Sequence, residues 1–169
     1  MTKPKRGTDA AAEPARLAMI ELVSFRLHSV ANLLSRGAAM RYRREFGVTL
    51  WEWRTIALVG ATPELSLNEL AKVAGLDKSQ VSRVVAGLTE RQLVLRRADS
   101  NDGRGIRLSL TRDGQRLYER LIEAANERNQ IVLGALTNED CVALDRVLGK
   151  LELVAREFIR NEKELAEAD

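Results

Sequence analysis

A short polar and basic segment, residues 78–83, carries side chains of the types that read DNA. Asp77 precedes it as a good helix N-cap, and Gln80 occupies the N3 position of a capping box. Apolar residues then recur at spacings of three and four: Val81, Val84, Val85 and Leu88. This period predicts a helix with one buried face. The opposite face is predicted to expose Lys78, Ser79, Gln80, Ser82 and Arg83. Hydroxyl, amide and guanidinium groups bond base edges and phosphates, so this helix is predicted to recognise DNA, with Lys78 as a phosphate contact.

A basic hairpin is predicted directly after this helix. Leu93, Leu95, Ile106, Leu108 and Leu110 alternate with polar residues, as in two strands with one inward face. The polar set is Arg96, Arg97, Arg107 and Ser109. Between the strands, ADSNDGRG is a turn-rich tip whose Arg104 is placed to enter a narrow minor groove. The strand arginines are predicted to clamp phosphates. Residues 78–112 hold eight cations against three anions, the electrostatic pattern of a nucleic-acid binder.

The segment before the recognition helix completes a helix-turn-helix pattern. Ser66 and Glu69 form a capping box that opens a short helix, Leu67 to Ala74. Gly75 follows, where a helix end favours positive φ. Ala71, Gly75 and Val81 have the spacing of two helices packed across a tight turn. A third short strand is predicted within residues 61–65, pairing with the hairpin. Together these segments predict a helix-turn-helix with a β-wing.

Residues 77–114 resemble the signature of the MarR family of winged-helix transcription regulators. That signature is Asp-x-Arg, five residues, Leu/Val-Thr, two residues and Gly. Here it corresponds to Asp102-Gly103-Arg104, residues 105–109, Leu110-Thr111 and Gly114. The resemblance implies that Asp102 positions Arg104 at the wing tip. It extends from about residue 16 to 160 and implies a dimeric regulator, generally a repressor, that is released from DNA by a small molecule.

Composition and helical patterns predict a mainly α fold with a small β-wing. The 169 residues are 45% hydrophobic and 30% charged, with 4% aromatic residues and a net charge of +3, as in a globular helical chain. One compact domain is predicted, in five segments: a disordered tail (1–15), an N-terminal dimerisation helix (16–48), the winged helix-turn-helix (49–112), C-terminal dimerisation helices (113–160) and a frayed tail (161–169). No apolar run is long enough to span a membrane and no signal peptide is evident, so a cytoplasmic location is expected.

The outer helices are predicted to form a homodimer. The first helix is apolar over too wide an arc for an ordinary surface helix, and the last two carry apolar stripes. A second copy of the chain would cover them. A twofold dimer must hold its recognition helices about 34 Å apart to enter successive major grooves, which predicts an inverted-repeat operator.

The effector is predicted from the resemblance, which implies an aromatic acid or its coenzyme A thioester, bound between the dimer and DNA-binding parts. The candidate ligand-binding residues are His28, Tyr42, Arg44, Trp51, Trp53 and Arg54. The two tryptophans lie about 200° apart on a helix, so we expect one in the winged-helix core and the other facing the first helix. The stripe of polar residues on the first helix that includes His28 is either a pocket wall or a solvent-facing edge.

Three alternatives remain open from the sequence. Cys141, near the start of the last helix, is either a redox-sensitive thiol or a small core residue. An architectural protein would bind DNA of any sequence about equally. An enzyme is disfavoured because one His, one Cys and no phosphate-binding glycine loop assemble no catalytic constellation. No cofactor or metal is predicted.

Overall fold

The computed structural model describes residues 18–98 and 105–168. The predicted N-terminal tail (1–15), Asp102 and Arg104 lie outside these ranges. The described residues form six α-helices and three strands in the order α1 (Val23–Phe46), α2 (Leu50–Ala61), β1 (Leu65–Ser66), α3 (Leu67–Ala74), α4 (Lys78–Glu90), β2 (Val94–Ala98), β3 (Ile106–Leu110), α5 (Arg112–Leu133) and α6 (Asn138–Ala168). The predicted class, mainly α with a small wing, is confirmed.

The chain divides into two compact units between Arg54 and Thr55, within α2. In the first unit, a 3-10 turn at Met19–Glu21 precedes α1. The helix begins at Val23, so the prediction of one continuous helix from residue 16 is wrong for residues 18–22. The reason is local: Ala18 and Leu22 have extended backbone on either side of the 3-10 turn.

Both helix ends in the first unit follow the sequence pattern. α1 ends at Gly47, which has a φ of 64°, the left-handed conformation that glycine adopts most easily. α2 then opens with a capping box formed by Thr49 and Glu52. The Thr49 N–H donates to the Glu52 carboxylate over 2.7 Å, and the Glu52 N–H donates to the Thr49 hydroxyl over 3.2 Å.

The second unit contains the helix-turn-helix. The Ser66–Glu69 capping box opens α3, and Gly75 ends it with a φ of 66°. α3 packs against α4, and Ala71 on α3 and Val81 on α4 are both buried. Each residue of the predicted motif therefore has the conformation or burial that the motif requires.

The wing is a three-stranded antiparallel sheet in the order β1-β3-β2. Leu65 pairs with Leu108 and Val94 with Leu110, and this face is directed inward, with Val94 and Leu108 fully buried. The prediction that Leu95 faces inward is wrong, because β2 begins at Val94 and the pleat places Leu95 on the opposite face. Leu95 is 41% exposed.

The last two helices are longer than the rest. The Thr111 hydroxyl accepts from the Gly114 N–H over 2.9 Å and caps α5. Thr137 and Asp140 form a capping box before α6. α6 continues to Ala168, so the predicted fraying after residue 160 is not seen. Among the described residues, none of the helices is sufficiently long and apolar for a membrane span.

Candidate nucleic-acid interface

The orientation of α4 is set by its buried residues. Val81, Val85 and Leu88 are each at most 1% exposed, which fixes the opposite face toward solvent. That face presents all five predicted DNA-contacting residues of this helix as exposed side chains: Lys78, Ser79, Gln80, Ser82 and Arg83. Donors and acceptors of base-reading type are thus displayed on one rigid helix whose other side is anchored in the core.

Asp77 holds the start of this surface. Its carboxylate accepts from the Gln80 N–H over 2.8 Å and from the Ser79 hydroxyl over 2.7 Å. One of the two bonds of the predicted capping box is therefore present, namely the bond from the Gln80 backbone N–H to the Asp77 side chain. The Ser79 hydroxyl, followed by the Gln80 N–H, keeps the pKa of the Asp77 carboxyl below its ordinary value. Because the Ser79 hydroxyl proton points to Asp77, its oxygen is left as an acceptor toward a ligand.

Three wing-strand arginines were predicted as phosphate clamps, and their surroundings differ; Arg96 is exposed on β2. Arg97 and Arg107 pair across β2 and β3 on the outward face. Arg107 Nη1 donates to the Glu64 carbonyl oxygen over 3.0 Å and lies 3.8 Å from a Glu69 carboxylate oxygen. The same Glu69 oxygen accepts from the Ser66 N–H in the α3 capping box. Arg107 thus ties the wing to the first helix of the motif, whereas Arg97 is exposed and has no partner among the described residues.

Arg107→Ala is expected to lower the free energy of unfolding by about 1 kcal/mol, because a guanidinium bond to a backbone carbonyl is lost at the joint between β3 and β1. Arg97→Ala, its cross-strand neighbour, is the matched control and should change stability by less than about 0.5 kcal/mol. Urea unfolding of both variants measures the difference. If the two variants were equally stable, the bond from Arg107 to the Glu64 carbonyl would not contribute to holding β3 against β1.

The root of the wing is fastened to the start of α5. The Thr111 hydroxyl donates to the Gln92 carbonyl over 2.7 Å, and the Thr111 N–H donates to the Leu93 carbonyl over 3.1 Å. A Cβ at Gly114 would overlap the Leu93 carbonyl oxygen and lie 3.0 Å from its carbon. Sequence reasoning identified Thr111 and Gly114 in the family signature but not this close approach, which requires the glycine.

The six candidate ligand residues all fall in the first unit, and four of them form two aromatic groups. Tyr42 is 3% exposed and its ring lies 5.4 Å from that of Trp53 and 6.3 Å from that of Phe46, measured between centroids. Trp51 is 39% exposed, and the Arg54 guanidinium stacks 4.8 Å from its ring centroid. Neither tryptophan is buried, so the prediction of one in the winged-helix core is wrong; the prediction that the other faces the first helix is confirmed by the Tyr42–Trp53 contact.

The remaining two candidates lie apart from these groups. His28 is 14 residues before Tyr42 on α1, about 21 Å along the axis, and hydrogen-bonds Asn32 over 2.8 Å. Arg44 is exposed and pairs with Glu45 at 2.6 Å. Arg41, then Arg44, holds the pKa of the Glu45 carboxyl below its ordinary value. One small aromatic acid therefore cannot touch His28 and Tyr42 in the same protomer.

The described surface, two helices joined by a tight turn and followed by a basic wing, defines a winged helix-turn-helix protein. Comparison with known sequences and structures agrees with this class. The sequence model of the MarR family matches residues 46–105. The regulator FarR of Neisseria gonorrhoeae is 31% identical over 104 residues, which cover 62% of this chain and 71% of FarR. The homoprotocatechuate degradative operon repressor of Escherichia coli is 28% identical over 124 residues, covering 71% and 84% of the two chains.

A solved structure of a related regulator has the same fold over most of this chain. A MarR/EmrR family transcriptional regulator from Acinetobacter sp. ADP1 superposes with a TM-score of 0.72 at 29% identity. The match covers 79% of this chain and 94% of the Acinetobacter chain. The chain belongs to the MarR family of DNA-binding transcription regulators.

Proposed function

We propose that this protein is a dimeric repressor that binds an inverted-repeat operator and is released by an aromatic acid or its coenzyme A thioester. The observation that carries the proposal is the exposed polar face of α4 on a buried apolar backing. In this proposal Gln80, Ser82 and Arg83 read base edges, with Ser79 as an acceptor. Lys78 and Arg97 contact phosphate, and Asp102 orients Arg104 in the minor groove.

The dimer is supported by apolar surface that the single chain leaves uncovered. Over residues 138–167, where the burial of α6 is described, every residue is exposed or half-buried. The exposed side chains include Leu148, Val154 and Phe158. α1 exposes further large apolar residues, namely Val23, Leu27, Val30, Leu33, Leu34 and Met40. Exposed apolar surface on this scale is characteristic of a subunit interface. A second copy of the chain would cover it and supply the second recognition helix.

The geometry of the first unit reduces the candidate effector-binding residues to Trp51 and Arg54. Tyr42 is too buried to meet a ligand, whereas Trp51 and Arg54 together offer an exposed ring and a guanidinium. An aromatic carboxylate suits this pair, because its ring stacks on the indole while its carboxylate bonds the arginine. The relative named as repressor of a homoprotocatechuate degradative operon supports a ligand of this chemical class.

The test is operator binding measured with and without a panel of aromatic acids, including homoprotocatechuate, and their coenzyme A thioesters. One compound should release the DNA and quench the fluorescence of Trp51. Arg54→Gln should weaken that compound about tenfold or more, since a charge-assisted bond is lost. Arg36→Gln, an exposed arginine on α1, is the control and should respond like the wild type. Release that is unaffected by Arg54→Gln would contradict the assignment to this pair.

A redox-responsive regulator is the alternative. Cys141 is half-buried on the first turn of α6 and is the free cysteine of this chain. If peroxide releases the operator and Cys141→Ser prevents the release, the effector proposal is replaced by this one.

A further inference from the structure

The carboxylate of Asp77 controls the hydrogen bonding of a neighbouring side chain on the exposed face of α4. One oxygen atom, Oδ1, accepts both from the Gln80 N–H over 2.8 Å and from the Ser79 hydroxyl over 2.7 Å. The bond from the Gln80 backbone fixes this carboxylate oxygen against the first turn of the helix. The same oxygen is thereby held beside Ser79. Asp77 therefore caps α4 and acts on its polar face at the same time.

The direction of the bond between Ser79 and Asp77 follows from ionisation. The pKa of the Asp77 carboxyl lies below its ordinary value, first because of the Ser79 hydroxyl, so the carboxyl is ionised at neutral pH. An ionised carboxylate only accepts hydrogen bonds, which makes the hydroxyl the donor. Since a serine hydroxyl has a single proton, Ser79 can offer a DNA base only the lone pairs of its oxygen.

Ser79 lies at the centre of the exposed face of α4. The buried side chains of Val81, Val85 and Leu88 point about 120–180° away from it around the helix axis. Arg83, also exposed, follows one turn later and about 40° from Ser79. The N-terminal residues of a recognition helix are the ones that contact base edges in the major groove. Ser79 is therefore placed to meet a base edge.

We propose that Asp77 determines base specificity as a positioning residue: it makes Ser79 an obligate acceptor, which selects a base that carries an amino group. In the major groove adenine and cytosine present an amino donor, whereas guanine and thymine present acceptors. An amino group bonds the Ser79 oxygen. A guanine or thymine instead leaves two acceptors facing each other without a proton between them, which is costly. Each half-site of the operator therefore has one position that takes adenine or cytosine. This inference rests on the proposed sequence-specific binding of DNA.

The test is selection of operators from random duplexes by the full-length protein and its variants, followed by titration of single-base substitutions. At one half-site position the wild type should prefer adenine and cytosine by about tenfold, the usual effect of one mismatched base pair. Asp77→Gly keeps a tolerated N-cap but frees the Ser79 hydroxyl to donate, so the preference should fall to about twofold or less. Asp77→Asn supplies an amide oxygen in place of Oδ1 and should keep the preference.

Three controls separate this effect from charge and from helix capping. Both Asp77 variants lose the same negative charge, so any gain in affinity for random duplex should be common to them. Ser66→Gly removes the N-cap of α3, where the Ser66 hydroxyl accepts from the Glu69 N–H over 3.2 Å, and should leave every base preference unchanged. Ser79→Ala keeps the Asp77 cap and should lose the same preference as Asp77→Gly.

Four results would overturn the inference while the regulator proposal stands. These are an unchanged base preference in Asp77→Gly, an unchanged preference in Ser79→Ala, an equal loss in Asp77→Gly and Asp77→Asn, and a loss at every operator position in Asp77→Gly. The third would assign the effect to charge, and the fourth would make Asp77 a structural cap only. If the wild type enriched no sequence at all, the regulator proposal itself would be contradicted, so the two failures are distinguishable.

Discussion

Gly114→Ala is expected to lower the free energy of unfolding by about 2–3 kcal/mol. The new Cβ would overlap the Leu93 carbonyl oxygen, and this atom belongs to backbone that Thr111 also holds. Overpacking against such a fixed group typically costs about 1–3 kcal/mol or more, and alanine recovers only part of it through its higher helix propensity. The wing root must then separate from α5. Thermal or urea unfolding measures the loss.

Gly87→Ala provides the matched control. Gly87 is inside α4, and a Cβ added there meets no atom within 4 Å. The same substitution should therefore stabilise the protein, by up to about 1 kcal/mol, because alanine is the better helix former. The expected result is that the free energy of unfolding decreases for Gly114→Ala and increases for Gly87→Ala. If Gly114→Ala were as stable as the wild type, close packing at the wing root would not be the reason for this glycine.

Leu148→Glu is expected to convert the dimer to a monomer and to reduce operator affinity at least about a hundredfold. Leu148 is 46% exposed in the single chain, so a glutamate there costs the monomer little. In the proposed interface the same carboxylate would be buried without a partner, which is strongly unfavourable. A dimer that carries two recognition helices binds its operator about 10²–10⁴ times more tightly than a single recognition helix does. The monomer loses this gain.

Sedimentation and operator titration measure the two effects in the same samples. Lys150→Gln is the control: it changes the charge of α6 by the same amount on a side chain that is already solvated, and should leave both properties unchanged. A Leu148→Glu variant that remains dimeric would place the interface on another surface. A monomeric variant with wild-type operator affinity would contradict a bivalent mode of binding.

Local signals in the sequence predicted the DNA-binding region well because its structure follows from short-range chemistry. The Ser66–Glu69 capping box and the helix end at Gly75 are each decided within a few residues, and the structure confirms both predictions. The register of β2 was predicted less well. Alternation counted from Leu93 predicted that Leu95 faces inward. The strand begins one residue later, at Val94, and the pairing of Val94 with Leu110 of β3 sets which residues of β2 face inward.

Sequence patterns did not predict contacts between residues that are far apart in the chain. Arg107 was grouped with the other wing arginines by charge alone, and nothing local indicates that it bonds Glu64, 43 residues away. Glu64 itself has a φ of 62°, an uncommon conformation for a residue with a side chain. The tryptophans illustrate the same limit: helical spacing separated Trp51 from Trp53, but only packing shows that neither is buried.

The most direct test of the central claim is the ratio of specific to non-specific DNA affinity. Selection from random duplexes followed by titration of the winning site measures this ratio at a fixed salt concentration. We expect an inverted repeat with half-site centres about 10 base pairs apart, bound at least about a thousandfold more tightly than random duplex. Gln80→Ala should reduce this preference, while Lys78→Ala should weaken all sequences alike. A ratio below about tenfold, with no enriched repeat, would contradict a sequence-specific regulator and favour an architectural DNA-binding protein.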